Sequence, residues 1–263
     1  MTEPDLAQLD LPPIRRFASA AGLSLAYRHA DGAVPLIVFL PGYMSDMAGG
    51  KACAVMADAM ARGQACLLLD YSGCGESEGD FADGTLSRWR DEVVALIDHV
   101  DAGDTPRPVV LVGSSMGGWL MLLVAEAIAA RAGADAVRAL IGIAPAPDFV
   151  TWGYSEEQKA TLERGESWFE DNIYGPDPTP YHPAFYRDAL TNLRLESGIA
   201  LTCPVRVLQG QQDPDVPWQT ALRLSDALTS DDVQVRLIKD GDHRLSRDAD
   251  VAILLQTVRD FAA

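Results

Sequence analysis

The run Val109-Val110-Leu111-Val112-Gly113-Ser114-Ser115-Met116-Gly117-Gly118 constrains the fold of this chain more than any other stretch. Its four leading apolar residues favour a buried strand, and the alanine- and leucine-rich sequence from Trp119 favours a helix. Gly-x-Ser-x-Gly lies between them, and its two glycines leave room for a tight backbone that presents Ser115 outward. The run therefore predicts a strand, a sharp turn and a helix, with Ser115 as a candidate nucleophile.

Strand-like and helix-like segments alternate on both sides of this run, which favours an α/β fold with a mostly parallel central sheet and helices on both faces. The first two predicted strands, at about 16–19 and 23–29, are expected to form an N-terminal hairpin. The later predicted strands lie at about 36–40, 66–69, 109–112, 137–143, 203–208 and 233–238. The predicted helices lie at about 47–62, 86–100, 119–131, 218–228 and 251–261. We expect residues 1–263 to form a single domain, since a chain of 263 residues can bury one large core.

The alternation is interrupted between Ile143 and Cys203. Residues 148–200 contain nine of the nineteen aromatic residues of the chain, namely Phe149, Trp152, Tyr154, Trp168, Phe169, Tyr174, Tyr181, Phe185 and Tyr186. We interpret this segment as a lid, inserted at about 148–200, that places apolar surface over a pocket. The alternative is a small satellite core packed on the sheet.

Composition excludes several classes of partner. The net charge of -17 at pH 7 disfavours nucleic acid and anionic membrane surfaces. No apolar stretch is long enough to span a membrane, and the N-terminal residues resemble no signal peptide. The four cysteines form no Cys-x-x-Cys pair, which favours free thiols in a reducing compartment and predicts a cytoplasmic protein. No histidine or cysteine cluster indicates a metal site, and we expect no cofactor.

A serine hydroxyl is a weak nucleophile until a neighbouring base accepts its proton. His243 is the best candidate for that base, because it lies in the turn-rich loop after the last predicted strand, where active sites gather in open α/β sheets. The other histidines lie in the N-terminal hairpin, in a helix and in the lid segment.

The base in turn needs a carboxylate that fixes its tautomer. Asp213 follows the predicted strand at 203–208 and is our candidate. Asp215 and Asp242 are alternatives because they are close in sequence, and Asp148 is another because it follows an earlier strand. The oxyanion that forms during acyl transfer needs two N–H donors, for which we predict the backbone amides of Met116 and Tyr43.

With these residues, the chain resembles the α/β-hydrolase superfamily over nearly its whole length. The order Ser115, Asp213, His243 is the order of that fold. Further segments are similar to a narrower group, the mitochondrial acyl-protein (palmitoyl-protein) thioesterases that also hydrolyse mycophenolic acid acyl-glucuronide, and their bacterial relatives: Leu40-Pro41-Gly42-Tyr43-Met44-Ser45-Asp46-Met47, Val216-Pro217-Trp218 and Gly241-Asp242-His243-Arg244. The resemblance implies Ser115 as nucleophile, Asp213 as acid and His243 as base, in an enzyme that deacylates S-palmitoylated protein or hydrolyses acyl glucuronides. The chain shows no transit peptide, so its expected compartment remains the cytoplasm.

These inferences predict a serine hydrolase of carboxylic esters or thioesters that forms an acyl-enzyme. Its expected substrate is a small molecule or an acylated protein with an apolar acyl group, and the oligomeric state is left open. One alternative is a peptidase or another hydrolase on the same fold. Another is a non-catalytic binding protein that has kept the hydrolase fold.

Overall fold

The computed structural model describes residues 10–101, 107–172 and 177–262. Its strands are β1 (Arg15–Ala18), β2 (Ser24–Ala30), β3 (Ala33–Leu40), β4 (Gln64–Leu69), β5 (Val109–Ser114), β6 (Val137–Ile143), β7 (Trp168–Glu170), β8 (Thr179–Tyr181), β9 (Val205–Gly210) and β10 (Val233–Ile238). Its α-helices are α1 (Gly50–Ala61), α2 (Leu86–Val100), α3 (Met116–Ala132), α4 (Phe149–Trp152), α5 (Glu156–Glu163), α6 (Pro183–Thr191), α7 (Gln219–Ala227) and α8 (Asp248–Arg259). The predicted N-terminal hairpin is present as β1 and β2.

Eight strands form the central sheet in the order β1-β2-β4-β3-β5-β6-β9-β10. The pairs β1–β2 and β2–β4 are antiparallel, and the pairs from β4 through β10 are parallel. The predicted mostly parallel sheet is therefore confirmed. Because β5, β9 and β10 are parallel, the loops that follow them emerge at the same edge of the sheet.

Alternate residues of the buried strands face opposite sides of the sheet and build two cores. On β5, Val109 and Leu111 pack into the core that contains the apolar side chains of α2 and α3. Val110 and Val112 pack into the core that contains those of α1 and α8. Helices thus cover both faces, and the continuous apolar character of β5 follows from its burial on both sides.

Three helices begin three residues away from the sequence-based expectation, and local hydrogen bonds explain one of these differences. Helix α8 begins at Asp248 rather than near Val251. Helix α1 begins at Gly50 rather than near Met47, because Met47 N donates to the Asp70 carboxylate at 2.7 Å and Ala48 N to that of Asp46 at 2.9 Å. Helix α3 begins at Met116, three residues before the expected start, directly after the turn at Ser115.

Residues 148–200 contain α4, α5, α6 and the small antiparallel sheet of β7 and β8. Their buried apolar side chains, among them Val150, Leu162 and Phe185, join the same core as α2 and α3. Aromatic side chains of this segment also line the cavity described below. Of the nine aromatic residues noted above, Tyr174 lies outside the described residues.

Within the described ranges, no helix combines the length and the hydropathy that crossing a bilayer requires. All four cysteines are free thiols, and three of them are buried.

Candidate active site

Ser115 lies at the sharp turn between β5 and α3, where its backbone takes a left-handed conformation with φ 54° and ψ -120°. Such a conformation is strained for a residue with a side chain and persists only where the surroundings enforce it. Here Ser115 N donates to the Ile143 carbonyl at 2.9 Å, and the Ser115 carbonyl accepts from Gly118 N at 2.8 Å and from Ala146 N at 3.0 Å. These bonds fix the turn at the carboxyl edge of the sheet.

The glycines on either side of Ser115 are required because the backbone packs closely there. A Cβ on Gly113 would lie 2.3 Å from the Gly117 carbonyl oxygen, and a Cβ on Gly117 would lie 2.2 Å from the Leu40 carbonyl oxygen. Neither position has space for a side chain. The elbow therefore also brings the end of β3 against the start of α3.

The structure brings together the three side chains that the sequence placed 128 and 30 residues apart. His243 Nε2 lies 3.0 Å from Ser115 Oγ, and His243 Nδ1 lies 2.9 Å from Asp213 Oδ2. Ser115 follows β5, Asp213 follows β9 and His243 follows β10, so parallel strand ends assemble the set. The Asp213 carboxylate can only accept, so the neutral His243 ring carries its proton on Nδ1 and donates it to Asp213. Nε2 is then free to accept the proton of Ser115.

The Asp213 carboxylate is buried but well supplied with donors. Burial raises its pKa, but the hydrogen bond from His243, its charge and the amides of Val216 and Asp215 outweigh that effect, so the pKa of Asp213 lies below its usual value. Both amides donate to Oδ1 at 2.9 Å. The carboxylate is therefore ionised at neutral pH and suited to stabilise an imidazolium.

The alternative acids make other contacts. Asp148 is buried, and its carboxylate accepts from Arg194 N and Leu195 N at 2.8–3.0 Å. Asp242 accepts from Leu245 N at 2.9 Å and so caps the turn after His243. Asp215 is exposed and contributes its backbone N–H to Asp213. Of the four candidates, Asp213 is the one that accepts from His243.

Tyr43 and Met116 flank Ser115 on the cavity wall. Met116 is the first residue of α3, where a backbone N–H has no acceptor within its own helix. Tyr43 lies in the loop after β3, next to Met44 in a left-handed conformation with φ 54°. Among the hydrogen bonds of the described residues, none uses the amide of Tyr43 or Met116 as donor. Both amides thus have the location and free donor capacity that an oxyanion site needs.

A cavity of about 850 Å³ opens beside Ser115 and His243. Its walls carry the apolar side chains of Phe39, Tyr43, Met44, Met116, Phe149, Trp152, Tyr154, Tyr181 and Val216. Five of these aromatic side chains come from two places, the loop after β3 and residues 148–200. The walls also carry charged side chains, namely Asp46, Lys51, Glu170, Asp171, Asp177, Asp215 and Arg244. Cavities that bind small molecules typically have volumes of ~300–1,000 Å³, and this cavity falls in that range.

The Tyr43 side chain joins the loop after β3 to β8. Its hydroxyl donates to the Pro180 carbonyl at 2.8 Å, and its ring packs against Phe81 and Phe185 with centroids 4.9 and 5.2 Å apart. Burial raises the pKa of this hydroxyl well above its usual value, so it stays protonated and can donate. The residue chosen from the sequence for its amide therefore also has a side-chain contact to the proposed lid.

Two polar residues beside the site were missed from the sequence. Gln209, at the end of β9, is fully buried, and its Nε2 donates to Asp213 Oδ2 at 2.9 Å. Lys51, near the start of α1, lines the cavity and donates to the Arg244 carbonyl and to Ser246 Oγ in the loop after His243. The only signal for Gln209 was a polar residue at the end of a buried apolar strand. Lys51 showed no signal, because its partners lie nearly two hundred residues away.

Asp213, Asp215 and His243 each place one ligand atom within 4.8 Å of the others, which is close enough to surround a cation. Two of those atoms already share a proton in the Asp213–His243 hydrogen bond. A metal ion there would displace that proton and remove His243 as a base. The arrangement fits proton transfer better than metal binding.

Comparison with known proteins identifies relatives of this chain by sequence and by fold. A family model described as "Alpha/beta hydrolase family" matches residues 37–253. The mouse protein named "Palmitoyl-protein thioesterase ABHD10, mitochondrial" is 42% identical over 245 residues, which cover 90% of this chain and 78% of the relative. A putative hydrolase from Agrobacterium vitis S4 has a structure that superposes with a TM-score of 0.87 at 37% identity, covering 95% of this chain and 100% of that one. The structure of mouse alpha/beta hydrolase domain-containing protein 10 gives a TM-score of 0.81 at 39% identity, covering 94% and 97%.

The comparison corrects the predicted compartment. The related thioesterases of mouse, rat and human are all named mitochondrial, so the prediction of a cytoplasmic protein is wrong. The free cysteines supported only a reducing environment, and thiols stay reduced in more than one compartment. Cysteine usage could therefore not identify the compartment.

The family model covers most of the chain, and the related structures share its sheet and its length. The resemblance noted from the elbow and the loops after β3, β9 and β10 is thereby confirmed. This chain belongs to the alpha/beta hydrolase family.

Proposed function

We propose that the chain is a serine hydrolase that cleaves thioesters and esters of apolar carboxylic acids through an acyl-enzyme on Ser115. The observation that carries the proposal is the continuous hydrogen-bonded path from Asp213 through His243 to Ser115, at 2.9 and 3.0 Å, with Ser115 on a strained elbow. Its relatives' names support hydrolysis of thioesters in particular.

The reaction follows from this geometry. His243 Nε2 accepts the Ser115 proton while Oγ bonds to the acyl carbon, and the amides of Met116 and Tyr43 donate to the oxyanion that forms. The imidazolium is stabilised by Asp213 and gives its proton to the leaving thiol or alcohol as the bond to the acyl carbon breaks. Water then loses a proton to His243 as it attacks the acyl-enzyme. His243 gives this proton to Ser115 Oγ as the bond to the acyl carbon breaks, which releases the acid and restores the serine hydroxyl.

The aromatic side chains of residues 148–200 support both a lid over the cavity and a substrate with an apolar acyl group. Residues 148–200 contribute Phe149, Trp152, Tyr154 and Tyr181 to the cavity wall, and these rings offer an apolar surface for an acyl chain. The same segment places the acidic side chains of Glu170, Asp171 and Asp177 on that wall. The relatives are named for palmitoyl-protein, so an S-acylated protein with a long chain is the proposed substrate class. A thiolate leaves with little assistance, since a thiol has a pKa of about 8.5.

A covalent probe tests the nucleophile. A fluorophosphonate should label the wild-type protein and not Ser115→Ala, whereas Ser114→Ala, the neighbouring serine of the same turn, should still be labelled. Loss of labelling in both variants would indicate a collapsed turn, which the melting temperature would reveal. Equal labelling of wild type and Ser115→Ala would place the nucleophile elsewhere and overturn the proposal.

Matched substrates test the reaction class. We expect the thioester and the oxyester of one acid, including its acyl glucuronide, to be hydrolysed faster than the corresponding amide. In a series from acetyl to palmitoyl, kcat/KM should rise at least about tenfold, because each buried methylene contributes about 0.8 kcal/mol. Faster amide turnover would indicate a peptidase, and a preference for acetyl would argue against an apolar acyl site.

A further inference from the structure

Gln209 contacts the proposed acid directly. Its side chain lies at the end of β9 with no exposed surface, and Nε2 is 2.9 Å from Asp213 Oδ2. That same oxygen accepts from His243 Nδ1 at 2.9 Å. One carboxylate oxygen therefore receives two donors, one from the base and one from an amide that the mechanism above does not use.

The orientation of this amide follows from its neighbours. Besides Asp213, the Nε2 group faces the carbonyl oxygens of Gly210 at 3.3 Å and Val216 at 3.4 Å. Turning the amide over would place its own oxygen against three acceptors. Because an ionised carboxylate cannot donate, the nitrogen must face Asp213.

The Oε1 atom of Gln209 indicates that this side chain does more than pack in the core. Its Oε1 is buried and has no hydrogen-bond partner among the described residues. An unsatisfied buried acceptor is unfavourable, and an apolar side chain of the same length would avoid it. The N–H donated to Asp213 is the contact that distinguishes glutamine from such a residue.

We propose that Gln209 is a positioning residue that holds Asp213 ionised and in the rotamer that His243 requires. The inference rests on the proposed function, because it concerns how the same three side chains are aligned. The second donor draws electron density from Oδ2 and moderates the pull of Asp213 on the His243 proton. Gln209 thereby limits how strongly Asp213 stabilises the imidazolium, so that His243 can still release its Nε2 proton to the leaving group.

The test is the pH dependence of kcat/KM. Gln209→Met keeps the length of the side chain and removes the donor, so Asp213 should hold the imidazolium more strongly. We expect the acidic limb to move up by at least about half a pH unit and kcat/KM at neutral pH to fall about tenfold, the loss of one hydrogen bond to a charged group. Gln212→Met makes the same chemical change at an exposed position of the following loop and should leave both unchanged.

Gln209→Glu provides a second variant that does not depend on how methionine packs. Two carboxyl groups this close share one proton, and the introduced carboxyl group, while protonated, would still donate to Asp213. The variant should therefore be active above the acidic limb, where His243 can accept a proton, and lose activity on a new basic limb as the shared proton leaves. The charged groups closest to Asp213 among the described residues, His243 and Asp215, are the same in every variant.

The measurements distinguish failure of the inference about Gln209 from failure of the proposed function. A lower melting temperature with an unchanged pH profile would assign Gln209 a purely structural role and overturn the inference. If Ser115→Ala is inactive at the same time, the proposed function still holds. Full activity in Ser115→Ala would refute the proposed function instead.

Discussion

Asp213 and Asp148 are both aspartates placed after a strand, and their contacts differ. Asp213 accepts from a side chain that reaches Ser115, whereas Asp148 accepts from the backbone of Arg194 and Leu195. Asp213→Asn should lower kcat by about 10³- to 10⁴-fold, because it removes the charge that fixes the tautomer of His243. Asp148→Asn should instead lose about 1–3 kcal/mol of stability, since its new N–H₂ would face backbone donors.

Thermal unfolding and steady-state kinetics, measured on both variants, distinguish these effects. Turnover per folded molecule of Asp148→Asn should match the wild type, because the substitution changes only the fraction of molecules that is folded. Near-normal turnover in Asp213→Asn would show that another carboxylate serves His243.

The partly buried Lys51 ammonium should make the free energy of unfolding rise with pH in the alkaline range. Burial, aided by the charge of Arg244, lowers its pKa from 10.5 to about 8. Between these two pH values the unfolded chain holds more protons than the folded one, so the free energy of unfolding rises with pH. The cost of burying the ammonium is fully present below pH 8 and is relieved as the pH approaches 10.5.

Lys51→Met should remove this dependence. Relative to that variant, the wild type should gain stability from pH 8 to pH 10.5, by at most about 3 kcal/mol. Urea unfolding of both proteins across this range provides the measurement. A constant difference between them would show that Lys51 is solvated in the folded protein.

At the scale of single residues, the sequence identified side chains whose chemistry is visible in a motif. Ser115, Asp213 and His243 each follow a predicted strand, and their order along the chain was informative. Gln209 and Lys51 belong to no motif, and their partners are determined by how β9 and α1 pack. Their contacts could not be predicted because they depend on side-chain orientation inside the folded protein.

Among the secondary-structure elements, the elbow between β5 and α3 is held by close backbone packing. Gly117→Ala would push a Cβ to 2.2 Å from the Leu40 carbonyl, at the end of β3. We expect a loss of about 1–3 kcal/mol in stability, typical of overpacking, and a larger relative loss of kcat because the loop with Tyr43 must move. Gly49→Ala, whose Cβ would lie 3.4 Å from the Asp46 carbonyl, should change stability little.

Chemical denaturation and kinetics on the two alanine variants check this prediction. If Gly117→Ala kept both wild-type stability and kcat, the close approach of β3 and α3 would be absent in solution.

The contact between Tyr43 and Pro180 concerns the loop after β3 and strand β8. Tyr43→Phe retains the backbone amide and removes the hydroxyl, so the proposed lid should be held less firmly. KM for a long-chain substrate should rise several-fold with little change in kcat, in line with about 1 kcal/mol for one hydrogen bond. Amide hydrogen exchange in β8 should accelerate.

Tyr186→Phe removes a hydroxyl on α6 that lies near charged side chains of α5, and it serves as the control. A fall in kcat at constant KM in Tyr43→Phe would contradict a role in the lid and indicate that the hydroxyl positions the loop after β3.

Secondary structure followed closely from hydrophobic patterning. Helix α2 and strands β6 and β10 begin and end where the sequence predicts, because their apolar periodicity changes abruptly at both ends. Residues 148–200 were less predictable, since α4, α5, β7, β8 and α6 are short and their aromatic residues contact each other across elements. The sequence indicated apolar surface there but not which side chains face the core and which face the cavity.

At the scale of the whole molecule, 38 acidic and 21 basic residues leave a net charge of -17. Self-repulsion of this charge destabilises the compact state. Raising NaCl from about 0.05 M to about 0.5 M should therefore raise the melting temperature, since the Debye length falls over this range. Differential scanning calorimetry at neutral pH provides the measurement, and a lower melting temperature in salt would mean that surface ion pairs outweigh the repulsion.

The sequence by itself determined the fold class, the order of the main strands and helices, and Ser115 and His243 as the candidate nucleophile and base. These depend on local patterns: apolar periodicity, glycine at a tight turn and polar residues after strands. Tertiary structure alone decided which aspartate meets His243, which amide holds that aspartate, and how the aromatic side chains of residues 148–200 divide between core and cavity. Each of these depends on distances between segments far apart along the chain, and only the packing of the sheet and its helices fixes such distances.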